Sequence, residues 1–250
     1  MTKPLVIGNW KMNGSRRAIG RLLDDIQTLG GDARVEVVVC PPFVYLAEVA
    51  RRIAGTGLKL GAQHLSEYPE GAYTGEIGAA MLVDVGCEYV LVGHSERRTL
   101  FDASDERVAR QFAQALSGGL TPVLCVGEDA RQRAAGDTWA VLSRQLATAG
   151  LLPGQRWEHR LQEVVIAYEP VWAIGTGVAA GPGDVQAVHH RIREALGERG
   201  SQVRILYGGS VSAGNVRQLM AQPDVDGVLV GSASLRATEF ATICDAAAVA

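Results

Sequence analysis

Eight short apolar runs rich in β-branched residues recur along the chain: LVI (5–7), VEVVVC (35–40), LKLGAQ (58–63), EYVLVG (88–93), PVLCVG (122–127), VVIAYE (164–169), VRILYG (203–208) and GVLVG (227–231). Most lack the in/out alternation of a half-solvated sheet, which marks parallel strands buried on both faces. Helical spacing fills the gaps. Residues 16–30 place Ile19, Leu22, Leu23 and Ile26 on one face. Residues 104–116 open on Ser104 as a cap and carry Val108, Phe112, Ala115 and Leu116 inward. Helices are expected to open in the same manner at Asp137 and Asp184. Strands alternating with helices require parallel pairing and right-handed crossovers. No linker or charge block interrupts the eight units. The expectation is one domain over 1–250, an α/β fold closed as a (β/α)8 barrel rather than left as an open doubly wound sheet.

Composition narrows the partners. Hydrophobic residues make up 47% of the chain and charged residues 20%, enough for a large core. A net charge of −3 offers no basic field for nucleic acid or an anionic membrane. An anionic ligand must instead be held by local N–H groups and a few placed cations. The apolar run near the N-terminus is too short for a signal peptide, and no stretch approaches a membrane span. Cys40, Cys87, Cys125 and Cys244 are scattered, with no C-x-x-C pair. These features predict a reduced, soluble, cytoplasmic protein.

In such a barrel the loops after the strands build the site. The first run hands over to Gly8-Asn9-Trp10-Lys11, the third to Gln63-His64 and the fourth to Gly93-His94-Ser95-Glu96. The sixth ends in Glu169, the seventh in Gly208-Gly209-Ser210 and the eighth in Gly231-Ser232. Each has a bland reading: Lys11 as a solvated side chain, His94 as a structural histidine, Glu169 as a surface acid. Against these, His94 stands at a helix start, where the partial positive charge disfavours imidazolium. Pro170 restricts Glu169 to extended backbone, and the apolar run behind it can shield it. Glycine-rich turns after the last two strands match the recurrent phosphate site of barrels.

No metal centre is expected: His189-His190 lacks a third ligand nearby, and His159 sits in a polar stretch. A carboxylate base, a neutral donor, a cation and a phosphate grip suit proton transfer beside a carbonyl. The expected activity is that of a small sugar-phosphate isomerase needing no cofactor.

Motifs along the whole chain then carry a resemblance: GNWKMNG (8–14), GAQ (61–63), EGAYTGE (70–76), VLVGHSERR (90–98), PVLCVGE (122–128), AYEPVWAIGTG (167–177), LYGGSV (206–211) and DGVLVGSASL (226–235). In order and content they resemble the triosephosphate isomerase family. The resemblance implies a TIM barrel that interconverts dihydroxyacetone phosphate and glyceraldehyde 3-phosphate. It implies Glu169 as general base, His94 as neutral electrophile, and Lys11, set by Asn9, as the balancing cation. It implies Glu96 as organiser of that network and Gly175, Ser210, Gly231 and Ser232 as phosphate-binding positions. Ser95 would hold Glu169 at rest, Tyr207 would latch a lid hinged at Pro170 and at Gly175–Gly177, and Cys125 would buttress the base. The long stretch 64–75 would join a homodimer, with Thr74 supporting the neighbouring site.

Two positions depart from the family pattern. Ser232 stands where glycine is usual and needs an acceptable φ. Gln111 stands where lysine is expected, which suggests an altered structural ion pair. The competing readings are another phosphate-binding barrel enzyme and a phosphate-binding scaffold without turnover.

Overall fold

Each of the eight apolar runs forms a strand, and the strands close in chain order. In the computed structural model, which describes residues 3–29, 32–174 and 180–249, these are β1 (Leu5–Asn9), β2 (Glu36–Cys40), β3 (Leu58–Ala62), β4 (Tyr89–Val92), β5 (Thr121–Val126), β6 (Val165–Tyr168), β7 (Arg204–Tyr207) and β8 (Gly227–Val230). All pairings are parallel, and β8 returns to β1 through Leu5↔Gly227 to Gly8↔Val230. The chain is therefore a single-domain TIM barrel. Among the described residues, ten α-helices surround it: α1 (Arg16–Leu29), α2 (Leu46–Ile53), α3 (Ala79–Asp84), α4 (Ser95–Leu100), α5 (Asp105–Ser117), α6 (Ala130–Ala134), α7 (Thr138–Ala149), α8 (Pro182–Ala195), α9 (Val216–Met220) and α10 (Ala237–Ala248).

The core explains why the runs lack alternation. Successive strand residues point to opposite faces, and both faces are dry. Leu5, Ile7, Val38, Leu91, Val123, Val165 and Leu206 fill the barrel interior. Val6, Val39, Val90, Leu124, Ile166 and Ile205 face outward onto Ile19, Leu23, Phe112, Leu146, Ile192 and Phe240 of the helices. Each fully buried aliphatic or aromatic side chain contributes about 1.5–3 kcal/mol.

Helix starts follow the sequence with one correction. Ser104 caps α5, its Oγ accepting the Arg107 N–H at 3.3 Å. Asp137 stands at the cap of α7 without a side-chain cap bond. Asp184 does not open its helix: α8 begins at Pro182 after Gly181, and Asp184 lies within the first turn. Proline at a first helical position loses nothing by lacking an N–H, and aspartate suits both the cap and the first turn, so residue type alone could not separate them. Gln111 is 1% exposed, buried beside Val108 and Phe112, and its Nε2 has no partner.

A polar layer closes the end of the barrel opposite the strand C-termini. Glu36 accepts bonds from the Tyr89 hydroxyl at 2.6 Å and Arg204 Nη1 at 2.7 Å, and pairs with Lys59 Nζ at 3.0 Å. Burial alone would raise its carboxyl pKa, but these three donors hold it at about 2, against an ordinary 4.5. A depressed folded-state pKa gives stability that is complete above the unfolded value and is lost as pH falls from 4.5 towards 2. Glu36→Gln is accordingly expected to lower the urea midpoint at pH 7 and to flatten its dependence across that window. A parallel dependence in wild type and variant would remove Glu36 from the acid response.

Candidate active site

The C-terminal ends of the strands surround a cleft of about 440 Å³, walled by Asn9, Lys11, His94, Ile174, Ser210, Gly231 and Ser232 among others. Residues separated by more than two hundred positions meet here because the barrel aligns every strand end on one rim.

Lys11 follows β1 with φ 51°, and among the described residues it and Asp102 are the non-glycines with positive φ. That conformation costs on the order of 1–3 kcal/mol and persists only where the surroundings dictate it. Three bonds do so here. The Lys11 N–H donates to Asn9 Oδ1 at 3.0 Å, its carbonyl accepts from Gln63 Nε2 at 2.9 Å, and its Nζ meets Glu96 Oε1 at 2.5 Å. Gln63 Nε2 also reaches the Cys40 carbonyl at 2.8 Å, tying β2, β3 and the Lys11 turn together.

His94 ends the β4 turn and caps α4 with its own ring: Nδ1 accepts the Glu96 N–H at 3.2 Å. Nε2 lies 3.0 Å from Glu169 Oε1. The contact is off the N–H direction, so Oε1 is left without a directed donor. Oε2 accepts the Ser95 N–H at 2.7 Å. Glu169 is 1% exposed, docked against Ser95 and outside the cleft wall. Burial pushes its carboxyl pKa up, but His94 and the Ser95 amide outweigh burial and hold it below the usual value. Burial is the largest influence on His94 and lowers its proton affinity, but the charge and contact of Glu169 together with the Glu96 charge outweigh it and raise the pKa above its ordinary value. The second proton would have to sit on Nδ1, where the Glu96 N–H already points. In the neutral ring the proton therefore sits on Nε2.

Two glycines make room for Glu169. A Cβ on Gly127 would stand 1.8 Å from the Glu169 carbonyl oxygen, and one on Gly208 would stand 2.9 Å from Glu169 Cγ. Downstream, Val171–Ala173 form a 3-10 turn. Trp172 Nε1 donates to Glu128 Oε1 at 2.9 Å, and the Tyr168 hydroxyl reaches the same oxygen at 3.1 Å. Ile174 faces the cleft, and Ser210 Oγ donates to the Ala173 carbonyl at 2.7 Å. The Tyr207 hydroxyl accepts the Ala180 N–H at 3.3 Å.

Gly231 and Ser232 open a 3-10 turn, Ser232–Leu235, at the cleft. Ser232 needs no left-handed φ, so the serine fits the backbone without that strain. Cys125 is fully buried inside the barrel, where burial and the Glu169 charge push its thiol pKa well up. Thr74 is exposed on the long β3–α3 connection and does not line the cleft. Gly175 and the Gly175–Gly177 hinge lie outside the described residues. Gln63 and Gly208 stand at strand ends in the sequence reading without a role, and their roles, like Gly127 and Glu128, come from the geometry. Glu128 follows β5 in the register that drew attention to the other strand ends, so the same test applied there would have found it.

The family model described as triosephosphate isomerase matches residues 4–247. The chain belongs to the triosephosphate isomerase family. It is similar to the triosephosphate isomerase of Methylococcus capsulatus, at 47% identity over 253 residues covering 100% of both chains. Similarity to the Thiobacillus denitrificans enzyme is 50% over 257 residues, covering 99% of this chain and 100% of that one. The Symbiobacterium thermophilum enzyme is 50% identical over 258 residues, covering 100% of this chain and 99% of its own. Membership of the triosephosphate isomerase family makes the protein an isomerase, and its cleft can be read as an isomerase site.

Proposed function

We propose that the protein interconverts dihydroxyacetone phosphate and D-glyceraldehyde 3-phosphate through an enediolate, with Glu169 as base, His94 as electrophile and Lys11 as balancing cation. The observation that carries this reading is convergence. Lys11 and His94 wall the same cleft as the Ser210 and Gly231–Ser232 turns, and His94 Nε2 stands 3.0 Å from Glu169. Glu169 removes a proton from C1 of the ketose, and the electron pair forms the C1–C2 double bond as charge moves onto the C2 oxygen. His94 donates from Nε2 to that oxygen and relays a proton between the two oxygens. Glu169 then returns its proton to C2, leaving the aldehyde at C1. Atoms and charge balance without a metal or a redox cofactor.

Glu169 must leave Ser95 to reach the substrate. Once it does, the charge that favoured imidazolium is gone, and burial and the α4 N-terminus both favour neutral His94. Lys11, oriented by Asn9 and Glu96, offsets charge on the phosphate and the enediolate. Gly175, Ser210, Gly231 and Ser232 are assigned to the phosphate, Ser95 to the resting dock, Tyr207 to the lid latch and Cys125 to packing behind the base. The segment from Pro170 onward is assigned to a lid that keeps water from the enediolate and so limits phosphate elimination.

The decisive measurement is interconversion of the two trioses in chelator-treated buffer, with solvent deuterium entering at the carbon that is reprotonated. Product without deuterium would reject the enediolate route, and no product would reject the activity.

A cytoplasmic homodimer through residues 64–75 belongs to the same proposal. It is supported by Met12 at 96% and Val44 at 81% exposure, and by a stacked Tyr68–Tyr73 pair with centroids 4.1 Å apart on that loop. Thr74 would then support the neighbouring site. Specific activity is expected to fall on dilution together with the dimer fraction seen by sedimentation. Full activity in a demonstrated monomer would overturn the assignment.

A further inference from the structure

We propose that Arg133 is a positioning residue for the lid, setting where the segment that follows Glu169 rests. The inference builds on the lid reading above. Arg133 lies on α6, outside the cleft, with its side chain one-third exposed. On sequence it is one arginine among several in a polar stretch. Its contacts single it out. Its Cζ lies 4.3 Å from the centroid of the Trp172 ring, its Nη1 3.6 Å from Glu128 Oε1, and its Nη2 3.7 Å from Asp184 Oδ1. Trp172 belongs to the segment assigned to the lid and Asp184 to the first turn of α8, so one guanidinium touches both.

Glu128 makes these contacts consequential. Its side chain is fully buried, its Oε2 has no hydrogen-bond partner, and Oε1 takes both the Trp172 N–H and the Tyr168 hydroxyl. Its backbone carbonyl also accepts the Val171 N–H at 3.0 Å. Among the described residues, Arg133 is the one cation within 4 Å of this carboxylate. A carboxylate buried this completely keeps its place only with charge compensation, and a charged acceptor binds an indole N–H more strongly than a neutral one. Arg133 therefore acts on Trp172 twice, covering its face directly and strengthening the bond at its edge through Glu128. The pair with Asp184 is long and half in solvent, and adds orientation rather than strength. Trp172 lies three residues beyond Glu169 with only Pro170 and Val171 between them. A seated indole therefore limits how the base can be presented to the cleft.

The test compares Arg133→Met and Arg133→Lys with wild type. Measurements are kcat and KM in both directions, inorganic phosphate released per turnover, and the fluorine resonance of 5-fluorotryptophan at position 172, identified with Trp172→Phe. Arg133→Met is expected to lower kcat/KM about tenfold, a loss comparable to one desolvated cation–π contact. It should also raise phosphate release severalfold and shift the Trp172 resonance. Arg133→Lys should recover part of each effect, because an ammonium still compensates Glu128 but stacks less well. Wild-type kcat/KM and phosphate release in Arg133→Met overturn the proposal, whether or not the resonance moves or the melting temperature falls. If Arg133→Met does not fold, wild-type kinetics in Arg133→Lys and Glu128→Gln together overturn it. Glu169→Gln and wild type are the controls: an inactive Glu169→Gln beside a fully active Arg133→Met refutes the Arg133 role alone, an active Glu169→Gln refutes Glu169 as the base, and a wild type without turnover refutes the isomerase reading beneath both.

Discussion

Glu169→Gln is expected to lower kcat by roughly 10³-fold or more while KM changes little, since positioned general bases contribute about 10²–10⁴-fold. The amide keeps the shape of the side chain. Its carbonyl oxygen can still accept the Ser95 N–H that now bonds Oε2 at 2.7 Å, so the resting dock survives. What disappears is the capacity to take a proton from carbon. Glu169→Asp separates chemistry from geometry: it keeps the base but withdraws it by one methylene, and a displacement of about 1 Å costs on the order of 10²-fold. The pH profile offers an independent check. His94 and the Ser95 amide hold the free-enzyme carboxyl below its usual value. The carboxyl is therefore already ionised in the ordinary carboxylate range, and its own protonation should cut kcat/KM, giving an acid limb, only below that range. In Glu169→Gln the residual rate should lose that limb. A variant that retained both turnover and acid limb would show that another group removes the proton.

Wherever chemistry follows a strand, the sequence exposes it. Lys11, His94, Glu169, Ser210 and Gly231 each stand at the end of an apolar run, and a barrel sends every such end to one rim. The roles that escaped the sequence reading act on those groups at second hand. Gln63 is one of several glutamines, and its role exists only because its amide reaches the Lys11 carbonyl from across the barrel. Arg133 sits in a charged surface stretch, and nothing in its neighbours announces Trp172, 39 positions away, beneath its guanidinium. Glu36 reads as the polar start of a strand. Tyr89, Arg204 and Lys59 become its partners only when β2, β3, β4 and β7 come together at the closed end. Helical periodicity marked the inward face of α5 through Val108, Phe112, Ala115 and Leu116. Gln111 is buried with them, a polar side chain that apolar periodicity does not mark.

Gly127→Ala and Gly208→Ala should fail in different ways, although both glycines border Glu169. At Gly127 the added methyl would stand 1.8 Å from the Glu169 carbonyl oxygen and 2.6 Å from its carbonyl carbon. Neither atom can rotate away. The Glu169 N–H is bonded to the Val126 carbonyl at 2.8 Å, and the Gly127 N–H to Gln145 Oε1 at 2.9 Å, so β5 and β6 would have to separate. Overpacking against fixed backbone costs about 3 kcal/mol or more. Gly127→Ala should accordingly unfold at much lower urea or accumulate as insoluble chain. At Gly208 the nearest atom is Glu169 Cγ at 2.9 Å, part of a side chain that can turn. Gly208→Ala should keep most of its stability and pass the strain to the base, lowering kcat by more than it lowers the denaturation midpoint. Equal losses of stability in the two variants would mean that the Glu169 side chain is as fixed as its backbone. That would contradict a base able to leave Ser95 for the substrate.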